Sequence, residues 1–292
     1  MIEKFLRYLA SEKRYSSHTI TAYEADLKQL QDFLFTRFEI LEEFKDVKHI
    51  HLRDWVVHLI ENGNSPRSTN RKIAATKSFY KFLLARSDVE TNPTSGLKPV
   101  KGDKKLPSFI RERETENLLD HLHFNDSFSD RRDQLILELL YGTGIRLAEL
   151  IGLKKQDVNF YEKSIVVLGK RNKERILPVS NPLLYIIQQY LQKCQEEGFM
   201  QTKLLLTDKG NELYPMFVQR KVKYYMDKIT TVSKKSPHTL RHTFATHLLN
   251  KGANLNAVKD LLGHSSLAAT QVYTHNSIEK LKDSFNQAHP KA

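Results

Sequence analysis

Apolar positions along this chain return mostly with the period of a helix. Ile2, Phe5, Leu6 and Leu9 make one stripe; Ile20, Tyr23, Leu27, Leu30 and Leu34 make a second behind the cap signal Ser16-Ser17. Trp55, Val56, Leu59 and Ile60 mark a third helix, broken by Asn62-Gly63-Asn64-Ser65-Pro66. A fourth begins near Ser68 and turns Ile73, Phe79, Tyr80 and Leu83 inward. Four such stripes can bury one another, so residues 1–92 are expected to form a helical domain. Residues 93–107 are rich in Pro, Gly and Lys and carry no periodicity, which predicts an interdomain linker.

The pattern changes character in the remainder, residues 108–292. Helices are predicted over Arg113 to His121 and Arg131 to Leu140. Three short β-rich runs follow, Val158 to Phe160, Ser164 to Leu168 and Arg175 to Val179, with turns at Tyr161-Glu162-Lys163 and Gly169-Lys170-Arg171-Asn172-Lys173. They predict a small antiparallel sheet. Helical spacing resumes at Pro182 to Glu197 and Tyr214 to Thr230. Another helix starts at Ser236-Pro237 and closes at Gly252, a short one ends at Gly263, and one from Ser266 leads to Tyr273. Ile278, Leu281 and Phe285 leave a weak apolar stripe on a polar tail, which is short to stand alone. The fold class is mainly α with a small antiparallel sheet.

Charge adds a partner. The formal net charge is +12, from 46 Lys plus Arg against 34 Asp plus Glu. Two long segments contain no acid. Residues 62–87 carry Arg67, Arg71, Lys72, Lys77, Lys81 and Arg86, assigned to the outward face of the fourth helix; residues 228–259 include Lys234 and Lys235. Acid-free basic stretches of this kind are a footprint for nucleic acid. The single cysteine, Cys194, excludes an intrachain disulfide and suits a reducing compartment. No signal peptide or membrane span is evident, so a cytoplasmic location is expected.

The chemistry gathers late in the chain. His238 and Arg241 sit at i and i+3 at the start of one helix, whose free N–H groups and dipole favour an anion. Leu240, Phe244 and Leu248 claim the opposite side for the core. His238 and His242 also have the spacing of a metal pair, but their sequence neighbourhood offers no Asp, Glu or Cys. Leu262-Gly263-His264 is followed by Tyr273, whose phenol needs nearby cations or a base to react near neutral pH. Upstream, Tyr141-Gly142-Thr143-Gly144 makes a turn after an apolar helix, Arg146 opens the next one, and Glu149 lies one turn on. Lys170 occupies a β-turn, where an amine could act as a general acid.

These residues carry a resemblance. Gly144-Ile145-Arg146 with Glu149, the Gly169 to Arg175 turn, His238-Thr-Leu-Arg241-His-Thr-Phe-Ala-Thr-His247, and Leu262-Gly-His264 through Tyr273 resemble the tyrosine site-specific recombinase (integrase) family, most of all its Xer branch. The likeness spans essentially the whole chain. It implies Tyr273 as nucleophile on a DNA phosphodiester, leaving a 3′-phosphotyrosyl link and a free 5′-hydroxyl. Arg146 and Arg241 would clamp the phosphate, Lys170 would protonate the leaving oxygen, His238 would exchange a proton with the tyrosine, and His264 would hydrogen-bond the phosphate. Glu149 would support the site. Arg67, Arg71, Lys72, Lys77, Lys81, Arg171, Lys173, Arg175, Lys234 and Lys235 are the candidate DNA contacts. Arg171 stands where the Xer pattern has Gly, and Thr243 and Ala269 are milder departures.

The resemblance further implies a two-domain, C-shaped clamp on double-stranded DNA, with a core-binding domain and a catalytic domain, needing no metal or cofactor. Protomers would assemble as a homo- or hetero-tetramer on a specific recombination site, with an FtsK-type translocase as a possible activator. The tail at about residues 277–288 would dock on a neighbouring protomer or fold back on its own domain. Chromosome dimer resolution, integration or excision of a mobile element, a type IB topoisomerase, and a non-catalytic DNA-binding relative are the alternative roles.

Overall fold

The computed structural model describes residues 1–40, 44–102, 110, 122–169, 174–263 and 288. The chain divides into two compact units, residues 1–105 and 106–292. The expected helices at 113–121 and 266–273, the tail stripe, and Lys170, Arg171, Lys173, His264 and Tyr273 lie outside the described residues.

In the first unit, helices α1 (Ile2–Ser11), α2 (Ser17–Phe38), α3 (His49–Glu61) and α4 (Pro66–Ala85) follow the predicted stripes. The Ser16 hydroxyl caps α2 by accepting from the Thr19 N–H. Pro66, read above as part of a breaker, opens α4 behind the Ser65 cap, because a proline at the first helical position gives up no needed donor. Phe5, Phe79 and Phe44 pack edge to face at the centre, with Phe5–Phe79 at 5.4 Å and Phe44–Phe79 at 4.9 Å.

Two features of this unit differ from the sequence reading. Residues 93–100, expected within a linker, lie against the unit. Asn70 donates to the Val100 carbonyl at 2.9 Å and accepts from the Val100 N–H at 2.7 Å. Lys77 donates to the Leu97 carbonyl at 2.7 Å, and Leu97 and Thr94 are buried. Side chains satisfy these backbone groups without any regular ladder, so hydrophobic periodicity carries no trace of the arrangement. Lys72, secondly, is not on the outward face. It is buried and donates to Asp26 of α2 at 3.0 Å, while Arg71 pairs with the other oxygen of the same carboxylate. A stretch free of acid in sequence has met one in space.

The second unit holds α5 (Phe128–Thr143), α6 (Leu147–Gly152), strands β1 (Val158–Asn159), β2 (Ser164–Leu168) and β3 (Glu174–Pro178), then α7 (Asn181–Glu196), α8 (Pro215–Ile229), α9 (Pro237–Asn250) and α10 (Leu255–Leu262). The strands form one antiparallel sheet in the order β1-β2-β3, with Leu168 opposite Glu174 where the hairpin turns. Among the described residues, no helix is long and apolar enough to cross a membrane.

Helix α5 is nearly all buried and is the central post of this unit. Gly142 lies inside it; the turn is made by Gly144 alone, at φ +62°. A Cβ at Gly144 would strike the Phe244 ring of α9. The bare glycine thus lets the end of α5 pass close to α9 and delivers Arg146 beside Arg241. On α9, Leu240, Phe244 and Leu248 are buried as their spacing predicts.

Candidate active site

Arg146 is the residue just before α6, and Glu149 sits in that helix's first turn. One Glu149 oxygen accepts from the Arg146 backbone N–H at 2.9 Å and from Arg175 Nη2 at 2.7 Å. The other accepts from Arg146 Nη1 and Arg175 Nη1, each at 2.7 Å. Burial opposes the charge on this carboxyl, but the Arg175 and Arg146 hydrogen bonds win and hold it down at about 2. Glu149 is therefore an anion at any physiological pH, fixing two guanidiniums at once.

Three arginines then converge on one helix end. Arg175 Nε donates to the Leu261 carbonyl at 3.0 Å, and Arg146 Nη2 donates to the carbonyls of Leu262 at 2.8 Å and Gly263 at 2.6 Å. Arg241 donates from Nη1 to the Gly144 carbonyl and from Nη2 to that of Leu262. The last carbonyls of an α-helix lack intrahelical donors and form the negative end of its dipole. Here β3, α6 and α9 supply the missing donors to the end of α10. The chain then passes Gly263, at φ +61°, directly into His264.

Burial and the neighbouring charges of Arg146 and Arg175 pull Arg241 down to about 10, which still leaves it protonated near neutrality. Arg241 and Arg175 are buried, whereas 29% of the Arg146 side chain faces solvent. Arg146 has N–H groups beyond those given to Glu149 and the two carbonyls. A guanidinium held in place on one side with donors remaining on the other is preorganised for an anionic oxygen.

His238 occupies an exposed position in the first turn of α9, capped by Ser236, which accepts from the Thr239 N–H at 3.3 Å. No group of three His, Cys, Asp or Glu suited to a metal occurs among the described residues.

The predicted DNA contacts divide. Arg67, Lys81 and Lys234 are exposed, and Arg71 is exposed but paired with Asp26. Lys235 pairs with Asp227 at 2.7 Å. Arg175 is not the exposed contact expected: it is buried in the site with its fork bound to Glu149. The alternation of β3 carried this signal, because Arg175 shares a strand face with the buried Leu177. The part played by the α10 carbonyls had no sequence signal, since every residue carries a carbonyl.

Known proteins share this chain's sequence and fold. Residues 108–280 match the model of the phage integrase family, and residues 2–87 match that of its N-terminal SAM-like domain. The chain belongs to the phage integrase family, the tyrosine recombinases, and is a DNA strand-transferring enzyme. Among its relatives is the tyrosine recombinase XerC of Chlorobaculum tepidum, 38% identical over 315 residues covering 99% of this chain and 94% of the relative. XerC of Halalkalibacterium halodurans is also 38% identical, over 298 residues, covering 100% and 97%. In fold the chain is similar to XerH recombinase bound to a palindromic difH substrate, with TM-score 0.73 at 21% identity over 97% of this chain and 82% of that one. The Tn1549 transposon integrase in complex with circular intermediate DNA gives TM-score 0.70 at 19% identity over 95% and 97%.

Proposed function

We propose that the chain is an Xer-type recombinase acting on double-stranded DNA in the cytoplasm, with chromosome dimer resolution as its task. Tyr273 attacks the scissile phosphorus and forms the 3′-phosphotyrosyl bond as the 5′ oxygen leaves; Lys170 gives that oxygen its proton. Arg146 and Arg241 stabilise the charge on the non-bridging oxygens, His238 exchanges the tyrosine proton, and His264 hydrogen-bonds the phosphate. The covalent link conserves the energy of the broken ester, so a 5′-hydroxyl of another strand can reverse the attack without ATP. Protomers assemble as tetramers on paired sites, and a translocase of the FtsK type is a candidate activator.

The observation that carries this reading is the convergence of Arg146 and Arg241 on the Leu262 carbonyl, two residues before His264. The XerC relatives, at 36–38% identity over nearly the full chain, favour the Xer role over integration of a mobile element. Sequencing of DNA covalently trapped on the protein in cells distinguishes them: reads should concentrate at one chromosomal site, whereas reads at element ends favour integration. On a nicked duplex carrying that site, the protein should form a covalent adduct. Tyr273→Phe should abolish the adduct and keep binding; absence of an adduct from the unaltered protein sinks the catalytic reading.

A further inference from the structure

Helix α9 has a second set of polar contacts on the side away from Arg241. Ile110, the only described residue between 102 and 122, is fully buried there. Its N–H donates to Thr243 Oγ1 at 3.1 Å, and its carbonyl lies 3.0 Å from His247 Nε2. His247 is itself 1% exposed, and its Nδ1 lies 3.1 Å from the Tyr141 hydroxyl of α5. A carbonyl can only accept, so Nε2 carries the proton; Nδ1 is then the acceptor for the Tyr141 O–H. The chain thus holds one backbone residue by both of its polar groups, using side chains two and six positions beyond Arg241. By the 3.6-residue period, Thr243 and His247 share one side of α9 and Arg241 the other.

Apolar packing alone would bury Ile110 with any neighbour of the right size. Satisfying both its N–H and its carbonyl from α9 fixes its register as well. Ile110 also comes shortly after the segment that joins the two units. We propose that Thr243, His247 and Tyr141 form a clamp through which the incoming chain holds α9 in register, making Thr243 and His247 positioning residues for Arg241. The proposal rests on the recombinase reading, since it assigns a role in the same site. Arg241 donates to carbonyls on two other elements, so a small slide of α9 would misplace its fork against both. Misplacement by about 1 Å can cost of order a hundredfold in rate.

The test uses the full chain with Thr243→Val, His247→Leu and His247→Gln. The probe is a nicked duplex carrying the trapped site. Single-turnover adduct formation at saturating protein should fall about ten- to a hundredfold for His247→Leu and Thr243→Val. DNA affinity should stay within about twofold, which separates positioning from binding. His247→Gln can still donate to the Ile110 carbonyl and should recover most of the rate. Trypsin cleavage at Arg111 should accelerate in the two slow variants and not in the Gln variant. Adduct formation at the unaltered rate in both Val and Leu variants overturns the clamp, as does a Gln variant no faster than Leu. If His247→Leu fails to fold, Thr243→Val alone decides by the same rate and cleavage measurements. An unaltered protein that forms no adduct overturns the recombinase reading, and the positioning role with it.

Discussion

The carbonyl oxygen of Leu262 accepts from both Arg146 and Arg241, two cations borne on different helical elements. Like charges so placed repel; burial first, and then this repulsion, lowers Arg241. They stay together because Glu149, Gly144 and the end of α10 supply an oxygen for each fork.

Arg241→Lys should separate charge from geometry. Lysine keeps the charge but cannot span the carbonyls of Gly144 and Leu262. Adduct formation should fall by roughly 10²–10³ while binding changes little. Single-turnover cleavage beside a gel-shift titration reads both, and a lysine variant with full activity would count against a role for the fork.

Glu149→Gln should destabilise the second unit by about 3–5 kcal/mol, because it leaves Arg175 buried without its counter-charge. Urea denaturation of the two proteins gives the difference. The pH dependence has a defined sign. Glu149 falls from an ordinary 4.5 to about 2, so its contribution is complete above 4.5 and drains away as the pH drops toward 2. The Gln variant should show a shallower acid transition over that window; identical profiles would refute the assignment.

Gly263→Ala should injure the site more than the fold. The residue sits at φ +61°, and a Cβ would lie 3.3 Å from Arg146 Nη1 and 3.3 Å from Arg175 Cδ. The backbone strain costs about 1–2 kcal/mol, but the new methyl presses on the guanidinium that faces solvent. Cleavage should drop at least about tenfold at unchanged affinity. A variant that loses stability and cleaves normally would show that Arg146 tolerates the intrusion.

Lys72→Met should weaken the first unit by about 1–3 kcal/mol, since Asp26 keeps Arg71 as a partner but loses its buried one. Thermal unfolding reads it. DNA affinity measured well below the unfolding midpoint should be unchanged, in contrast to Lys81→Ala on the exposed side.

What the sequence disclosed and what it withheld follow from the range of each interaction. Helix stripes, the Ser16 cap and the short β-rich runs of β2 and β3 are local, and they appear in the structure within a few residues. His238 and Arg241 three apart on one helix were legible for the same reason. Lys72 against Asp26 and Arg175 against Glu149 were not. Each joins residues far apart in the chain, and a cation facing a buried carboxylate reads in sequence like one facing water. The Asn70 hold on Val100 was hidden for a third reason: backbone groups bonded by side chains leave no periodic mark.

The carboxylate of Asp26 also sets how many ions DNA can displace from α4. Of the six cations between residues 62 and 87, Lys72 and Arg71 are tied to Asp26, Lys77 to the Leu97 carbonyl and Arg86 to Asp88. Arg67 and Lys81 are exposed and make no ion pair with a described residue. Each neutralised phosphate releases about 0.9 of a counterion. This helix should therefore add roughly two units, not six, to the slope of log affinity against log salt.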